Sequence, residues 1–341
     1  MTTLHPKERL AVVVLAAGQG TRMKSDLPKV LHAVAGRPMI LEVLSVARAL
    51  EPDELVVVVG HEAERVKAVV GEGVTFVSQT EQLGTGHAVA QAAPGLHDSA
   101  DTVLVLYGDT PLIRAETLRH LLEAHRREHA AITLLTFVPD DPSGYGRIVR
   151  GPDGRVVGIV EHKDASEEQR RIRECNSGIL VFQANWLWDH LPRLSLSPQG
   201  EYYLTDLVAM AVEEGQVVHS LQAPDPTEVL GVNDRAQLAT ATAVLYDRRR
   251  RTLMRSGVTL VDPATVYVGP DVQVERDTVI EPNVILDGRV RIGPRCHIGP
   301  NCVLRNVTVG ANCVVVQAHL EDLVVPTDTR VGPFVFRQGE Q

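Results

Sequence analysis

The chain has 341 residues, of which 44% are hydrophobic and 23% are charged. This length suffices for about two ordinary domains, and the composition excludes extensive disorder and a small disulfide-stapled module. The formal net charge of −9 disfavours nucleic acid and anionic membranes as partners, so any anion site must be local. No apolar run approaches the roughly 18 residues of a membrane span. We therefore expect a cytoplasmic protein with neither a nucleic-acid nor a membrane partner.

The first 230 residues alternate short apolar runs with segments of helical periodicity, beginning with a buried strand at 11–17. Such alternation is typical of βαβ units in a mostly parallel sheet. A turn at Gly151–Gly154, between apolar stretches at 147–149 and 155–160, predicts an antiparallel hairpin. The other predicted strands are 55–59, 103–107, 132–138 and 178–182, and the predicted helices are 39–50 and 115–129.

Residues 234–255 combine a capping Asp234 with spaced apolar residues, which predicts a helix connecting two domains. Its Arg248–Arg251 run lacks interleaved aromatic residues in an acidic chain, so we interpret it as a solvated or intersubunit face and not as a nucleic-acid site. The predicted domains are 1–233, the connecting helix 234–257, and 258–341.

From residue 266 an apolar residue recurs at every sixth position, and a second register two residues earlier is also small or apolar. Hexapeptide repeats of this kind predict a left-handed parallel β-helix of about four coils over 266–336, with the apolar residues inside. The cysteines show no C-x-x-C spacing, so we expect reduced, buried thiols. The first register comprises Val268, Val274, Ile280, Leu286, Ile292, Ile298 and Leu304, and the cysteines are Cys175, Cys296, Cys302 and Cys313.

A glycine-rich loop, Gly18-Gln19-Gly20-Thr21-Arg22-Met23, follows the first predicted strand. Glycines there let backbone N–H groups approach phosphates. Met23 stands where the Rossmann fingerprint needs glycine, and the P-loop pattern fails from either glycine, so neither dinucleotide nor P-loop binding is favoured. Arg22 and Lys29 add two permanent cations suited to phosphate oxygens.

The segment from Gly18 to His32 resembles the signature loop of the nucleotide-diphosphate-sugar pyrophosphorylases. Its part SDLPKVLH is similar to the bacterial N-acetylglucosamine-1-phosphate uridyltransferase (GlmU) family, and agreement continues in order through nearly the whole chain. The resemblance implies a mostly parallel, Rossmann-like α/β nucleotidyltransferase domain followed by a short left-handed β-helix. The further matching blocks are QTEQLGTGHA at 79–88, YGDTPL at 107–112, GYGRI at 144–148, IVEHKDA at 159–165, NSGI at 176–179, GEYYLTD at 200–206 and EVLGVN at 228–233.

This resemblance implies a Mg²⁺-dependent enzyme that joins UTP and N-acetylglucosamine 1-phosphate into UDP-N-acetylglucosamine and releases pyrophosphate. It makes Arg22 and Lys29 catalytic, and Asp109 and Asn233 the metal ligands, a small donor set of the kind Mg²⁺ accepts. No role falls to His87 or His162, because the attacking oxygen is already an anion. The implied nucleotide-binding residues are Leu15, Ala16, Ala17, Gly18, Gly20, Gln79, Gln82, Gly84 and Thr85, and the implied sugar-binding residues are Tyr107, Gly146, Glu161 and Asn176.

Three alternatives remain open: a glucose-1-phosphate uridylyl- or thymidylyltransferase, a hexapeptide acyltransferase, and a regulatory subunit without turnover. The cations and metal ligands named above argue against the last. Members of the resembled family usually carry a longer β-helix, whose later coils supply the acetyl-CoA site and a catalytic histidine. Because the repeat stops after Val331–Phe334, we expect a truncated acetyltransferase β-helix without acetyltransferase activity. Hexapeptide relatives pack three prisms about an axis, so we also expect a homotrimer.

Overall fold

A computed structural model describes residues 8–339, so the extreme ends of the first and last predicted domains lie outside the described residues. The chain forms two compact units. One contains the residues up to His32 together with Met39–Arg235, and the other contains Ala33–Pro38 together with the residues from Ala236 onward. The predicted connecting helix therefore groups mainly with the second unit.

The helices and strands alternate through the first unit, and short strands dominate the second. The helices are α1 (Met39–Arg48), α2 (Ala63–Val70), α3 (Thr85–Ala90), α4 (Ala93–Leu96), α5 (Ala115–Arg127), α6 (Glu167–Arg170), α7 (Ala184–His190), α8 (Asp206–Glu213) and α9 (Arg235–Arg255). The strands are β1 (Leu10–Ala16), β2 (Ala33–Val34), β3 (Arg37–Pro38), β4 (Glu54–Val59), β5 (Thr75–Ser78), β6 (Thr102–Tyr107), β7 (Ile132–Phe137), β8 (Arg147–Arg150), β9 (Val156–Val160), β10 (Cys175–Gln183), β11 (Val218–Gln222), β12 (Thr259–Leu260), β13 (Val266–Val268), β14 (Val272–Val274), β15 (Val279–Ile280), β16 (Val284–Asp287), β17 (Val290–Ile292), β18 (His297–Ile298), β19 (Cys302–Arg305), β20 (Thr308–Val309), β21 (Val314–Val315), β22 (Ala318–Glu321), β23 (Val324–Val325), β24 (Arg330–Val331) and β25 (Val335–Gln338).

The first unit is built on one sheet with the strand order β11-β7-β10-β6-β1-β4-β5. Neighbouring strands are parallel, except that β10 runs antiparallel to both β6 and β7. The predicted hairpin is confirmed, because β8 and β9 pair antiparallel, and β8 also pairs with β10 at the residue pair Arg147–Cys175. The expectation of a mostly parallel sheet is therefore correct, with one reversed strand inside it.

Helices cover both faces of this sheet, which explains why all seven residues of β1 are buried. Successive β1 residues, such as Val13 and Val14, belong to different hydrophobic clusters on the two faces of the sheet. One cluster includes residues of α3, α7 and α8, and the other includes residues of α1, α2 and α5. This is the arrangement that continuous apolar strand runs indicate. Among the described residues, no helix has the length and apolarity needed to cross a bilayer.

The second unit contains a parallel β-helix whose three sides are sheets of five, five and four strands. Every residue of the first hexapeptide register from Val268 to Leu304 is buried. Cys296, Cys302 and Cys313 lie inside the coil, and all four cysteines are free and buried as predicted. The coil begins at β12, before the position 266 that the repeat indicates.

The break in the hexapeptide register near Val309 has a structural cause at the corners of the coil. Val266 aligns with Val284, a spacing of one full repeat of three hexapeptides, whereas Leu304 aligns with Leu320 two residues sooner than that repeat requires. The strands themselves remain parallel and their inward residues stay buried. The later coils therefore lose residues at their turns and keep their interior.

The arginine run in α9 corrects the expectation of a solvated or intersubunit face. Arg249 donates hydrogen bonds to the carbonyl oxygens of Ala35 at 2.6 Å and Val268 at 3.1 Å. Arg250 donates to the carbonyl of Pro263 at 2.7 Å, and its side chain is only 13% exposed. Arg251 fits the solvated interpretation, since it is exposed and pairs with Asp247. Two of the arginines thus attach α9 to the start of the β-helix.

This difference predicts unequal stabilities for two neighbouring substitutions. Arg250→Met should lower the free energy of unfolding of the second unit by about 1–3 kcal/mol, because it leaves backbone carbonyls without their charged donor. Arg251→Met, the matched control, should change it by less than about 0.5 kcal/mol. Urea denaturation followed by circular dichroism measures both, and equal effects would contradict the attachment role of Arg250.

Candidate active site

A cavity of about 470 Å³ lies in the first unit. Residues that follow or end three of the parallel strands line it, namely Ala17 after β1, Gln79 after β5 and Tyr107 at the end of β6. Open α/β sheets bind their ligands at this carboxyl edge. A hydrogen bond from the Gln79 N–H to the Val59 carbonyl at 2.7 Å ties the ends of β5 and β4 together.

The glycine-rich loop turns away from β1 through two short 3₁₀ turns, Thr21–Met23 and Lys29–Leu31. Gly20 adopts a left-handed conformation with φ of 64°, and a Cβ added there would stand 2.4 Å from the Cβ of Lys29. Gly20 does not line the cavity, whereas Gly18 does. The second glycine is therefore required for the close approach of Lys29 to the loop.

Arg22 lines the cavity and is exposed. Within residues 8–339 its guanidinium has no hydrogen-bond or ion-pair partner, in contrast to most arginines of the chain. An arginine keeps its charge at any ordinary pH and offers up to five N–H donors. Arg22 thus lines the cavity as a cation without an ion-pair partner among the described residues, suited to an anionic ligand.

The ammonium of Lys29 stands between the two proposed metal ligands. Its Nζ pairs with the carboxylate of Asp109 and donates to Asn233 Oδ1 at 3.1 Å. The side chains of Lys29 and Asp109 are only 15% and 17% exposed, so the pair is poorly screened by solvent. These contacts bring together residues that are 204 positions apart in the chain.

The contacts of Lys29 indicate how the side chains of Asp109 and Asn233 could hold a cation. Both side chains direct an oxygen at one positive charge, the Lys29 ammonium, so two oxygen donors converge on one point. In the part of the chain that the structure describes, no group of three or more His, Cys, Asp or Glu is placed to hold a metal. A carboxylate and an amide oxygen are donors of the kind that Mg²⁺ accepts, with waters and substrate oxygens as its other ligands.

The amide of Gln79 is buried and its nitrogen is fully engaged. Nε2 lies 3.1 Å from the Gly84 carbonyl oxygen, to which it donates, and 3.1 Å from His87 Nδ1. Both amide hydrogens are then used within the protein, and Oε1 is left as the acceptor for a ligand. His87, which sequence reasoning left without a role, therefore helps to orient Gln79, and only the i to i+8 proximity of the two residues hinted at it.

The proposed sugar-binding residues surround Tyr107 rather than the cavity itself. A Cβ added to Gly178 would lie 2.8 Å from the Tyr107 ring, so the bulge of β10 at this glycine leaves room for the aromatic side chain. Burial, and then the charges of Glu161 and Asp109, raise the pKa of Tyr107, which keeps its hydroxyl protonated. Tyr107 thus joins the cavity to the segment that carries Asn176.

Glu161 is held in place at this end of the site. Its Oε1 accepts a hydrogen bond from the Thr205 hydroxyl at 3.1 Å, and burial raises the pKa of its carboxyl. The Asn176 backbone N–H donates to the Gly146 carbonyl at 2.9 Å, while Asn176 Oδ1 accepts from the Gly178 N–H at 3.1 Å. Three of the four proposed sugar residues, Gly146, Glu161 and Asn176, are therefore neighbours outside the main cavity.

Residues 201–204 form a wall that sequence reasoning did not assign. The Tyr202 N–H donates to the Leu83 carbonyl and the Gly86 N–H donates to the Tyr202 carbonyl, both at 2.8 Å. The Leu204 N–H donates to Thr85 Oγ1 at 3.1 Å. The segment before α3 is thereby fixed, and Glu201 lines the cavity. The matching block GEYYLTD was the only signal that could have found this wall.

The cavity collects most of the residues that the resemblance implies. Asn233 does not line the cavity but accepts a hydrogen bond from Lys29, which does. The other implied residues that do not line it are Gly20, Gly146, Glu161 and Asn176. The implied residues that line it are Leu15, Ala16, Ala17, Gly18, Arg22, Lys29, Gln79, Gln82, Gly84, Thr85, Tyr107 and Asp109.

Comparison with known proteins agrees with both halves of this architecture. Residues 12–259 match the family of MobA-like NTP transferase domains, and residues 271–306 match the bacterial transferase hexapeptide family. The chain is 48% identical over 335 residues to the bifunctional protein GlmU of Brevibacillus brevis, covering 98% of this chain and 73% of that protein. The chain belongs to the GlmU family. It is therefore a nucleotidyltransferase.

Other members of the GlmU family give the same result. The bifunctional protein GlmU of Stutzerimonas stutzeri is 53% identical over 328 residues, covering 95% of this chain and 72% of the relative. Among solved structures, a putative glucose-1-phosphate thymidylyltransferase from Bacillus anthracis in complex with sucrose aligns with a TM-score of 0.57. That match has 19% identity and covers 69% of this chain and 94% of the other, so it supports the fold alone.

The geometry of the glycine-rich loop predicts that alanine substitutions at its two glycines change the free energy of unfolding by unequal amounts. Gly20→Ala should lower the free energy of unfolding of the first unit by at least about 1–2 kcal/mol, because the left-handed backbone disfavours a Cβ that also meets Lys29. Gly18→Ala should change it by less than about 0.5 kcal/mol, since nothing lies within 4 Å of its added Cβ. Chemical denaturation measures both, and a Gly20→Ala variant as stable as Gly18→Ala would contradict the tight contact.

Proposed function

We propose that this GlmU-family chain transfers a uridylyl group from UTP to N-acetylglucosamine 1-phosphate, with Mg²⁺, giving UDP-N-acetylglucosamine and pyrophosphate. The observation that carries the proposal is the cavity lined by Lys29, Asp109, the oriented amide of Gln79 and Arg22, which has no ion-pair partner in the described part of the chain. Cations suit phosphates, and a fixed neutral amide suits an uncharged base. A cytoplasmic location stays a prediction.

In the proposed reaction an oxygen of the sugar phosphate attacks the α-phosphorus of UTP, and the bond to the departing pyrophosphate breaks. Arg22 binds the β- and γ-phosphates and stabilises the charge that grows on the leaving group. Lys29 leaves its contacts with Asp109 and Asn233 and draws the two reacting phosphates together. The chain needs no general base, because the attacking oxygen is already an anion.

Asp109 and Asn233 would hold the divalent cation, with phosphate oxygens and waters as its remaining ligands. A cation bound there supplies positive charge to the phosphates of both substrates. The residues around it keep their own tasks: Gln79 accepts from the base, while Glu161 and Asn176 offer an acceptor and an amide to the acetamido sugar.

A pyrophosphate-release assay with a panel of nucleotides and sugar 1-phosphates tests the proposal. We expect the highest kcat/KM for UTP with N-acetylglucosamine 1-phosphate, and no turnover after removal of divalent cations. Faster turnover with dTTP or with glucose 1-phosphate would instead support the alternative nucleotidyltransferases. Absence of turnover with every pair would support the regulatory-subunit alternative.

Asp109→Asn should lower turnover by at least about 10²-fold, because it removes the only charged donor of the proposed metal pair. Asp101→Asn is a matched control, since Asp101 precedes the same strand β6 at its opposite end and pairs with Arg9. Steady-state rates and circular dichroism of both variants give the comparison. Full activity of folded Asp109→Asn in magnesium would contradict the assignment.

The β-helix offers a surface for the proposed homotrimer. The sheet β13-β16-β19-β22-β25 presents an in-register outward row of Tyr267, Ile285, Val303, His319 and Phe336. The corresponding outward row on the four-stranded side is Gln273, Arg291, Thr308 and Val324. One flat side is thus apolar and aromatic while its neighbour is mostly polar, so we propose that copies of this chain pack through that side.

Introducing a charge on that side should dissociate the oligomer. We expect light scattering of the unmodified chain to give about three times its mass of 37.2 kDa, and Ile285→Glu to shift it toward the single-chain mass. Thr308→Glu, on the mostly polar side, should leave the mass unchanged. A single-chain mass for the unmodified protein at micromolar concentration would rule out the trimer.

We also propose that the 341-residue chain lacks acetyltransferase activity. Acyl transfer to an amine needs a base, and the histidines of the β-helix are His297 and His319. His297 lies 3.3 Å from Glu281, and His319 lies 2.8 Å from Glu321 and packs edge-on against Phe336. Both fit structural roles on the outward sides of the prism.

Acetyl-CoA and glucosamine 1-phosphate provide the test of this second proposal. We expect release of free CoA thiol to stay at the level of a control without enzyme. Release above that level, abolished by His319→Asn, would show that the outward histidine acts as a base and would support the acyltransferase alternative.

A further inference from the structure

Arg235 lies two residues after Asn233. It contacts the loop that carries the proposed catalytic cations at two points, one next to each cation-bearing turn. Its Nε donates to the Met23 carbonyl at 3.3 Å, and Met23 directly follows Arg22. Its Nη1 lies 3.2 Å from Nδ1 of His32, three residues after Lys29. One guanidinium therefore bridges the segment of Asn233 to the two turns that present Arg22 and Lys29.

The hydrogen bond between Arg235 and His32 can have only one donor, and this fixes the protonation of the His32 ring. A guanidinium only donates hydrogen bonds, so Nδ1 of His32 must be the acceptor and the ring must be neutral. His32 is buried, with 4% exposure, and burial followed by the charge of Arg235 lowers its pKa. The His32 N–H donates to the Lys29 carbonyl at 3.2 Å, which carries the contact back to the lysine.

The middle of the same loop is held from another side. Arg65 of α2 donates from Nη1 to the Asp26 carbonyl at 2.7 Å, between the two points that Arg235 holds. The loop is thus fixed at Met23, Asp26 and His32, all by arginine. Besides Lys29, which contacts Asp109 and Asn233 directly, Arg235 connects this loop to the chain segment of a proposed metal ligand.

We infer that Arg235 is a positioning residue for the nucleotidyl transfer: it sets the distance between Asn233 and the cations Arg22 and Lys29. This inference rests on the roles proposed above for those three residues. Arg235 is not among the described residues that line the cavity, so it acts through the loop. Because displacement of reacting groups by about 1 Å can cost about 10²-fold in rate, a loosened bridge should act on kcat.

The test compares Arg235→Ala with Arg235→Lys and with Arg119→Ala. Arg119 is a matched control, because its exposed guanidinium also donates to a backbone carbonyl, that of Ala49, at 2.7 Å. Neither Arg119 nor Arg235 lines the cavity. We expect Arg235→Ala to lower kcat about 10²-fold while KM for UTP changes by less than about threefold, with partial rescue by added guanidinium. Arg235→Lys should fall between, since an ammonium lacks the planar fork that serves both acceptors.

Hydrogen–deuterium exchange provides a readout besides activity. Amides of residues 18–32 should exchange about tenfold faster in Arg235→Ala, and the rest of the first unit should be unchanged. A kcat within twofold of the unmodified chain, or faster exchange across the whole unit without guanidinium rescue, would overturn the inference. If the unmodified chain does not use UTP, the proposed function fails, and the exchange experiment still decides whether Arg235 fixes the loop.

Discussion

Parallel pairing of β1, β4, β5 and β6 is the constraint on which the first unit depends. Parallel strands end on the same edge, so the loops that follow them must share one region of space. The glycine-rich loop, Gln79 and Asp109 are brought together there although Gly18 and Asp109 are 91 positions apart in the chain. Helices on both faces make this edge rigid, because each β1 residue is buried against one of two cores.

Ion pairing distinguishes the two cations, Lys29 and Arg22, that line the cavity at this edge of the sheet. Lys29 neutralises Asp109 in a poorly exposed position, whereas Arg22 has no such partner among the described residues. The two cations of one loop are thus unequal: one is stored against a carboxylate and the other is available to a ligand. Gly20 makes this possible, because only a residue without Cβ allows Lys29 so close to the turn.

Periodicity predicted the architecture well, because burial on both faces and hexapeptide spacing leave direct marks in the order of apolar residues. The buried strand at 11–17 and the interior row from Val268 to Leu304 were found in this way. Contacts that depend on side-chain direction were not. The donation of Arg249 and Arg250 to carbonyls, the orientation of Gln79 by His87 and the wall at 201–204 involve residues whose spacing resembles ordinary helix or loop sequence.

The reversed direction of β10 has a consequence for how the site can vary among related enzymes. A parallel strand contributes the residues that follow it, but β10 contributes its first residues, Cys175–Gly178, to the neighbourhood of Tyr107. Insertions or deletions at 162–174 therefore alter the segment that leads into the proposed sugar-binding residues while the pairing of Leu180 with Val105 keeps its register. Under the proposed assignment, acceptor size can then diverge by changes in loop length without disturbing the proposed nucleotide-binding residues, which depend on other strands.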